Sequence, residues 1–297
     1  MIGRFVLRGY MLCFCLLIII ALFIGTISAP YGYYCLNTTY TATGTYGQFL
    51  ESLLSDLSSD GYGNGFYNSS AGDDYDGSGN TVYGLFMCRG DVSITDCQTC
   101  VDGASTEILR LCWPPNQMAV VAWYDYCMLR YSNSSMLGRA DQSPVIHFRN
   151  TQNDSQPASF MDAVGNTLNQ LATRSSRSPK KFATLQAKYT ANETIYSLGQ
   201  CTPYLSDSDC HSCLTAAIQQ LSRCCYSSLG ARTYSTSCNI RYEVYSFYNS
   251  IADPAPPPAP LPIRPPPPVP FRPPPPPPPT GEGKPFLEIV IDGIYVN

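Results

Sequence analysis

The sequence predicts an α+β protein of two tandem, disulfide-rich domains, each with two helices laid on an antiparallel sheet. Three observations predict it. The chain opens on a secretory leader, one cysteine spacing occurs twice in register, and each copy runs from helix-period segments into an aromatic, β-branched run.

The leader comes first. Arg4 and Arg8 form a basic n-region, Met11 to Ile24 is an apolar run, and small residues follow at Gly25, Thr26, Ser28 and Ala29. This reads as a signal peptide over residues 1–29, cleaved near Ser28 or Ala29. An uncleaved anchor is the alternative, but the run is short of the roughly 20 residues a spanning helix needs. Export makes disulfides the natural state of the cysteines. Of 14, Cys13 and Cys15 leave with the leader and 12 remain. Sequons at Asn37, Asn68, Asn133, Asn153 and Asn192 suit exposed loops of a glycoprotein. A small domain buries a modest core, so bridges at about 2–4 kcal/mol each are a large part of its stability. Without the leader the chain has 16 basic against 22 acidic residues. That acidic balance argues against nucleic acid as a partner.

The repeat is explicit. Tyr83-Gly-Leu-Phe-Met-Cys88 parallels Tyr196-Ser-Leu-Gly-Gln-Cys201. Cys88, Cys97 and Cys100 parallel Cys201, Cys210 and Cys213, both as C-x8-C-x2-C, and Cys112 matches Cys225 at the same offset of 113. Cys127-Met-Leu-Arg-Tyr131 then parallels Cys238-Asn-Ile-Arg-Tyr242 at an offset of 111. The expected domains are 31–138 and 142–250, followed by a proline-rich linker over 252–285 and a short tail over 286–297.

Each copy has the same expected elements. The first helix carries Phe49, Leu50, Leu53, Leu54 and Leu57 after Thr45 in repeat one. In repeat two it carries Phe160, Met161, Val164, Leu168 and Leu171. A strand then runs into the first motif cysteine. Ser93-Ile-Thr-Asp and Ser206-Asp-Ser-Asp are helix starts, because Ser and Asp side chains cap free backbone N–H groups. The second helix puts Cys97 and Cys100 one turn apart on one face. Val120 to Tyr131 and Thr233 to Tyr248 are read as strands.

These cysteine and Arg-Tyr motifs resemble the plant ginkbilobin-homologous (stress-antifungal) domain, in the tandem form found in cysteine-rich repeat secretory proteins and receptor-like kinase ectodomains. Cys88-Arg-Gly-Asp-Val and Cys238-Asn-Ile-Arg-Tyr-Glu243 are close to the receptor-kinase type. The resemblance covers about residues 31–250. It implies two helices packed on a five-stranded antiparallel sheet in each domain. It also implies the pairs Cys35–Cys112, Cys88–Cys97, Cys100–Cys127, Cys201–Cys210 and Cys213–Cys238. Repeat two has no counterpart of Cys35, so Cys225 either joins the adjacent Cys224 or both stay free.

The resemblance further implies a sugar site. The antifungal ginkbilobin member binds mannose through an Asn directly after its first Cys, an Arg six residues before its last Cys and a Glu five residues after it. Repeat one holds Leu36, Val121 and Ser132 there. Repeat two keeps Arg232 and Glu243 but has no Cys-Asn, so the third member is expected to be missing. The bland reading of Arg232 and Glu243 is a cross-strand ion pair on one sheet face.

Catalytic constellations are not evident. His147, read as lying in the link between repeats, and His211, on the second helix of repeat two, have no nucleophile and carboxylate in a recognised motif. Cys97-Gln-Thr-Cys100 is not in the βαβ setting of a redox motif. No metal or cofactor is expected. Pro254 to Pro279 contains 18 prolines, a polyproline II rod of roughly 80 Å at about 3.1 Å per residue. The last segment, Phe286 to Asn297, is too short to span a membrane. No kinase signature occurs in the chain, and the tail is expected to be that of a truncated or mis-spliced receptor gene product or of a secreted derivative. The expected function is a secreted, non-catalytic interaction module of the apoplast in stress or defence. Its partners would be extracellular proteins, cell-wall carbohydrate or family members in an oligomer. The alternatives are a mannose-binding antifungal lectin and a receptor-kinase ectodomain.

Overall fold

A computed structural model of the chain describes residues 29–36, 38–59, 62–72 and 80–249. The leader, Asn37, the proline rod and the tail lie outside the described residues.

Repeat one runs β1 (Gly32–Cys35), α1 (Thr45–Leu57), β2 (Phe66–Ala71), β3 (Val82–Cys88), α2 (Ile94–Glu107), β4 (Val120–Trp123) and β5 (Cys127–Ser132). Repeat two runs β6 (Ile146–Arg149), α3 (Pro157–Arg177), β7 (Phe182–Lys188), β8 (Thr194–Cys201), α4 (Asp207–Cys224), β9 (Gly230–Tyr234) and β10 (Cys238–Glu243). Each forms one five-stranded antiparallel sheet, ordered β1-β4-β5-β3-β2 and β6-β9-β10-β8-β7. The fold is the expected α+β, with the same topology twice.

The sequence forms these elements for local reasons. Leu50, Leu53, Leu54 and Leu57 give α1 one buried stripe, and Phe160, Val164, Leu168 and Leu171 do the same for α3. Ser93 and Ser206 cap α2 and α4 by accepting from the Asp96 and Asp209 backbone N–H groups. Strand alternation then sends Phe86, Leu129 and Tyr131 to the helices in repeat one, and Ile240 and Tyr242 to them in repeat two.

Two expectations need correction. Val120–Tyr131 and Thr233–Tyr248 are each a hairpin rather than one strand, since Tyr124–Tyr126 and Ser235–Ser237 turn the chain back, and the last strand ends at Glu243. His147 is not in a link. It sits on the edge strand β6, opposite Thr233 of β9.

The other face of β3 is apolar too: Leu85 and Phe86, on opposite faces, are both fully buried. That second face makes a third core, in which Leu85, Met87, Val121, Trp123, Met128 and Met136 pack with Ile146, Tyr204 and Tyr234. The sheets of the two repeats therefore meet face to face, with the helices outside. Polar bonds fix the seam: Trp123 Nε1 donates to Ser235 O at 3.1 Å, and Gln200 Nε2 to Cys88 O at 2.8 Å. Asn249 donates from its backbone to the buried Asp91 carboxylate at 2.8 Å, which anchors the end of repeat two on repeat one.

Candidate functional site

The three sugar-contact positions of repeat one lie together. Leu36, Val121 and Ser132 line one cleft of about 270 Å³ with Tyr34 and Arg130. The cleft has little to hold a ligand. Arg130 Nη2 bonds the Asp141 carboxylate at 3.2 Å while its Nη1 is buried without a partner, and the link residues Ser143 and Pro144 and Thr236 of repeat two form the wall of the cleft. Thr236 Oγ1 donates to Asp141 O at 2.7 Å, tying that wall in place.

In repeat two the equivalent cleft is about 180 Å³, lined by Phe148, Arg149, Asn150, Arg232, Glu243, Tyr245 and the backbone of Gly230 and Ala231. Repeat two has no Cys-Asn, but strand pairing brings an Asn to this place. Leu36 N–H donates to Ala119 O at 3.0 Å, and Asn150 N–H donates to Gly230 O at 2.7 Å, the same ladder position of the second sheet. Asn150 thus stands in repeat two at the place of Leu36 in repeat one. The cysteine before it is replaced, by Arg149. The absent cysteine removed the anchor by which sequence reading could place β6. The usable signal was the alternation of Ile146-His-Phe-Arg-Asn150 against Gly32-Tyr-Tyr-Cys-Leu36.

The cross-strand pair of Arg232 with Glu243 does not form. Register sets Arg232 opposite Arg241 and Glu243 opposite Gly230. Like charges directly opposite repel, and the two guanidinium groups are handled differently. Arg241 Nε donates to Glu243 Oε1 at 2.9 Å along its own strand, and its other arm lies 3.8 Å from Asp125 of repeat one. Arg232 stacks over the Tyr31 ring, 3.8 Å from its centroid, with Phe148 at 5.6 Å. Tyr31 and Tyr234 are side-chain hydrogen-bond partners of this guanidinium, and its Nη1 alone is buried without one. Glu243 lies on Gly230, where a Cβ would collide with its carboxylate. Asn150 Oδ1 accepts from Gln152 N–H at 3.0 Å, which leaves the amide NH₂ as donor. The cleft therefore combines a guanidinium, an amide and a carboxylate with two aromatic rings, groups suited to fixing several hydroxyls at once.

The remaining candidates are placed as follows. All 12 cysteines among the described residues are in disulfides, as Cys35–Cys112, Cys88–Cys97, Cys100–Cys127, Cys201–Cys210, Cys213–Cys238 and Cys224–Cys225. No thiolate is left among them for nucleophilic or redox work. His147 Nδ1 bonds Thr233 Oγ1 at 2.9 Å, and burial pushes its pKa below the ordinary value. His211 is exposed on α4. Among the described residues no group of His, Cys, Asp or Glu is arranged to hold a metal, and no helix is long and apolar enough to cross a membrane. Asn133, Asn153 and Asn192 are exposed, and Asn68 is half-buried on β2.

The sequence profile of the salt stress response/antifungal family matches residues 34–134 and 147–245. The chain is 43% identical over 230 residues to cysteine-rich receptor-like protein kinase 25 of Arabidopsis thaliana, covering 75% of this chain and 34% of the kinase. It spans about a third of the length of such kinases. It is 38% identical over 222 residues to an antimicrobial ginkbilobin-2-like protein of Castanea crenata, covering 74% of this chain and 90% of that protein. The crystal structure of the tandem DUF26 ectodomain of the Arabidopsis thaliana cysteine-rich receptor-like protein PDLP8 aligns with a TM-score of 0.64 at 22% identity, over 73% of this chain and 99% of the ectodomain.

Proposed function

This chain belongs to the salt stress response/antifungal family, with the domain in tandem, and from that premise we propose that it is a non-catalytic extracellular recognition module of plant stress and defence whose second repeat binds a glycan. The observation that supports the reading is the convergence of Asn150, Arg232 and Glu243 on one cleft. Its volume, about 180 Å³, is below the roughly 300–1,000 Å³ of drug-sized sites. That suits one sugar ring at a chain end. In this reading residues 1–29 are a leader to the apoplast, 31–138 and 142–250 are the two domains, and 252–285 is a spacer. Glycan-array binding by the secreted chain, lost in Arg232→Ala and Asn150→Ala and kept in Leu36→Ala, is the expected result. An array with no retained glycan contradicts it.

A second reading has its own support. The matched kinases are three times longer than the match, so the same module serves as the ectodomain of a receptor-type protein. Sequencing transcripts across the region coding for Pro279 and beyond tests this, with a membrane helix and kinase in frame as the expected outcome.

A further inference from the structure

We propose that a groove between the two repeats, beside the first turn of α2, binds an amphipathic anion: an apolar aryl or alkyl body ending in a carboxylate. The groove shares no lining residue with the cleft of Arg232 and Glu243, and the proposal does not depend on the glycan reading. It holds about 550 Å³, with Gly65, Phe66, Val92 and Ile94 of repeat one facing Pro179 and Lys180 of repeat two. That volume falls within the roughly 300–1,000 Å³ of small-molecule sites.

The groove is open because the repeats differ at two equivalent positions. Cys88 N–H donates to Gly65 O and Cys201 N–H to Lys181 O, so Gly65 and Lys181 hold the same place. Both have left-handed backbone, with φ of 67° and 51°. Ser93 and Ser206 are the matching caps, so Ile94 of α2 matches Asp207 of α4. Repeat two fills this place from within: Lys181 Nζ donates to Ser176 O at 2.7 Å and to the Asp207 carboxylate. Repeat one has Gly65 and Ile94 instead of that ion pair. A Cβ added to Gly65 would meet only Cys88 Cβ, at 3.7 Å, so the space that Lys181 takes in repeat two is free in repeat one.

The lining chooses the ligand. Phe66, Val92, Ile94, Pro179 and Pro203 are apolar, and Ile94 is 60% exposed where repeat two has a carboxylate. An apolar body laid there removes this surface from water. The lining has two cations and no Asp or Glu. Arg89 is taken by Asp91 at 2.6 Å. Lys180 is exposed, and among the described residues it has no carboxylate within ion-pair distance. Gln200 is engaged on both sides of its amide, donating to Cys88 O and accepting from Gly90 N–H. One free ammonium beside apolar walls suits a single anionic group on an apolar body, not a polyhydroxyl ligand.

The test is fluorescence titration of the full secreted chain with anilinonaphthalene sulfonate, an amphipathic anion, followed by displacement with cinnamate and with cinnamamide, which has the same body without the charge. The expected result is a single saturable site from which cinnamate displaces the probe roughly tenfold better than the amide. Lys180→Ala, an exposed change, is expected to weaken cinnamate several-fold and leave the amide unchanged. Gly65→Lys combined with Ile94→Asp rebuilds the ion pair of repeat two inside the groove and is expected to abolish probe binding. Ile94→Asp alone, at an exposed position, is expected to weaken the probe several-fold and serves if the combined variant does not fold. No saturable site, equal displacement by cinnamate and its amide, or undiminished probe binding in the Ile94 variants overturns the proposal.

Discussion

Single residues decide what each cleft can do. Gly230 has no side chain where Glu243 rests, and an added Cβ would meet the Glu243 carboxylate. Gly230→Ala is therefore expected to displace Glu243 from Arg241, costing about 1–3 kcal/mol of stability and abolishing glycan retention. Denaturant unfolding and array binding on the same preparation check both parts. His147 gives a pH signature. Burial holds its folded pKa below the ordinary 6.5, so the unfolded chain takes up the proton first. Stability then falls as pH drops through the ordinary value toward the folded one. The wild type is expected to lose more melting temperature between about pH 7.5 and 5 than His147→Gln, since that variant removes the protonation difference. Parallel slopes contradict the burial argument. At this scale the sequence was informative for Arg232 and Glu243, whose distances from Cys238 are fixed along one hairpin. It was silent on Asn150, whose place depends on strand pairing with β9.

Elements follow the sequence where a local rule governs them. The Ser93 and Ser206 caps, the leucine stripe of α1 and the strands entering Cys88 and Cys201 are each set by short-range spacing. The edge strands are harder. β1 and β6 have four residues each, and β2 and β7 are half-exposed and mixed in pattern, so the sheet partner and not the strand itself defines them. This is why the count of five strands came from the family resemblance and why β6 was read as a link. Ser93→Ala and Ser206→Ala are each expected to cost about 1 kcal/mol. The double variant is expected to cost about their sum, because the caps serve different helices and share no partner. Thermal unfolding of the three variants checks this, and a much larger loss in either single variant contradicts equivalent roles for the caps.

The whole molecule is two sheets sharing one seam. Because β3 buries residues on both faces, a separated repeat would expose Leu85, Met87 and Trp123 to water. Trp123 is 1% exposed at the seam and Trp113 is 92% exposed on a loop. Wild-type fluorescence should therefore show one tryptophan that acrylamide quenches readily and one that it does not. Trp123→Ala, a loss of about 3–5 kcal/mol, should remove only the protected one and weaken the seam. The seam also explains why the repeats differ. The link and Thr236 wall the first cleft, while the second lies open beside Tyr31 and Tyr245. The most direct measurement of that asymmetry is amide hydrogen exchange of the secreted chain with and without bound oligosaccharide. New protection is expected at residues 148–152 and 230–232 of repeat two and none at 34–36 or 119–121 of repeat one. Protection in the first cleft, or on the outer helices alone, would contradict it.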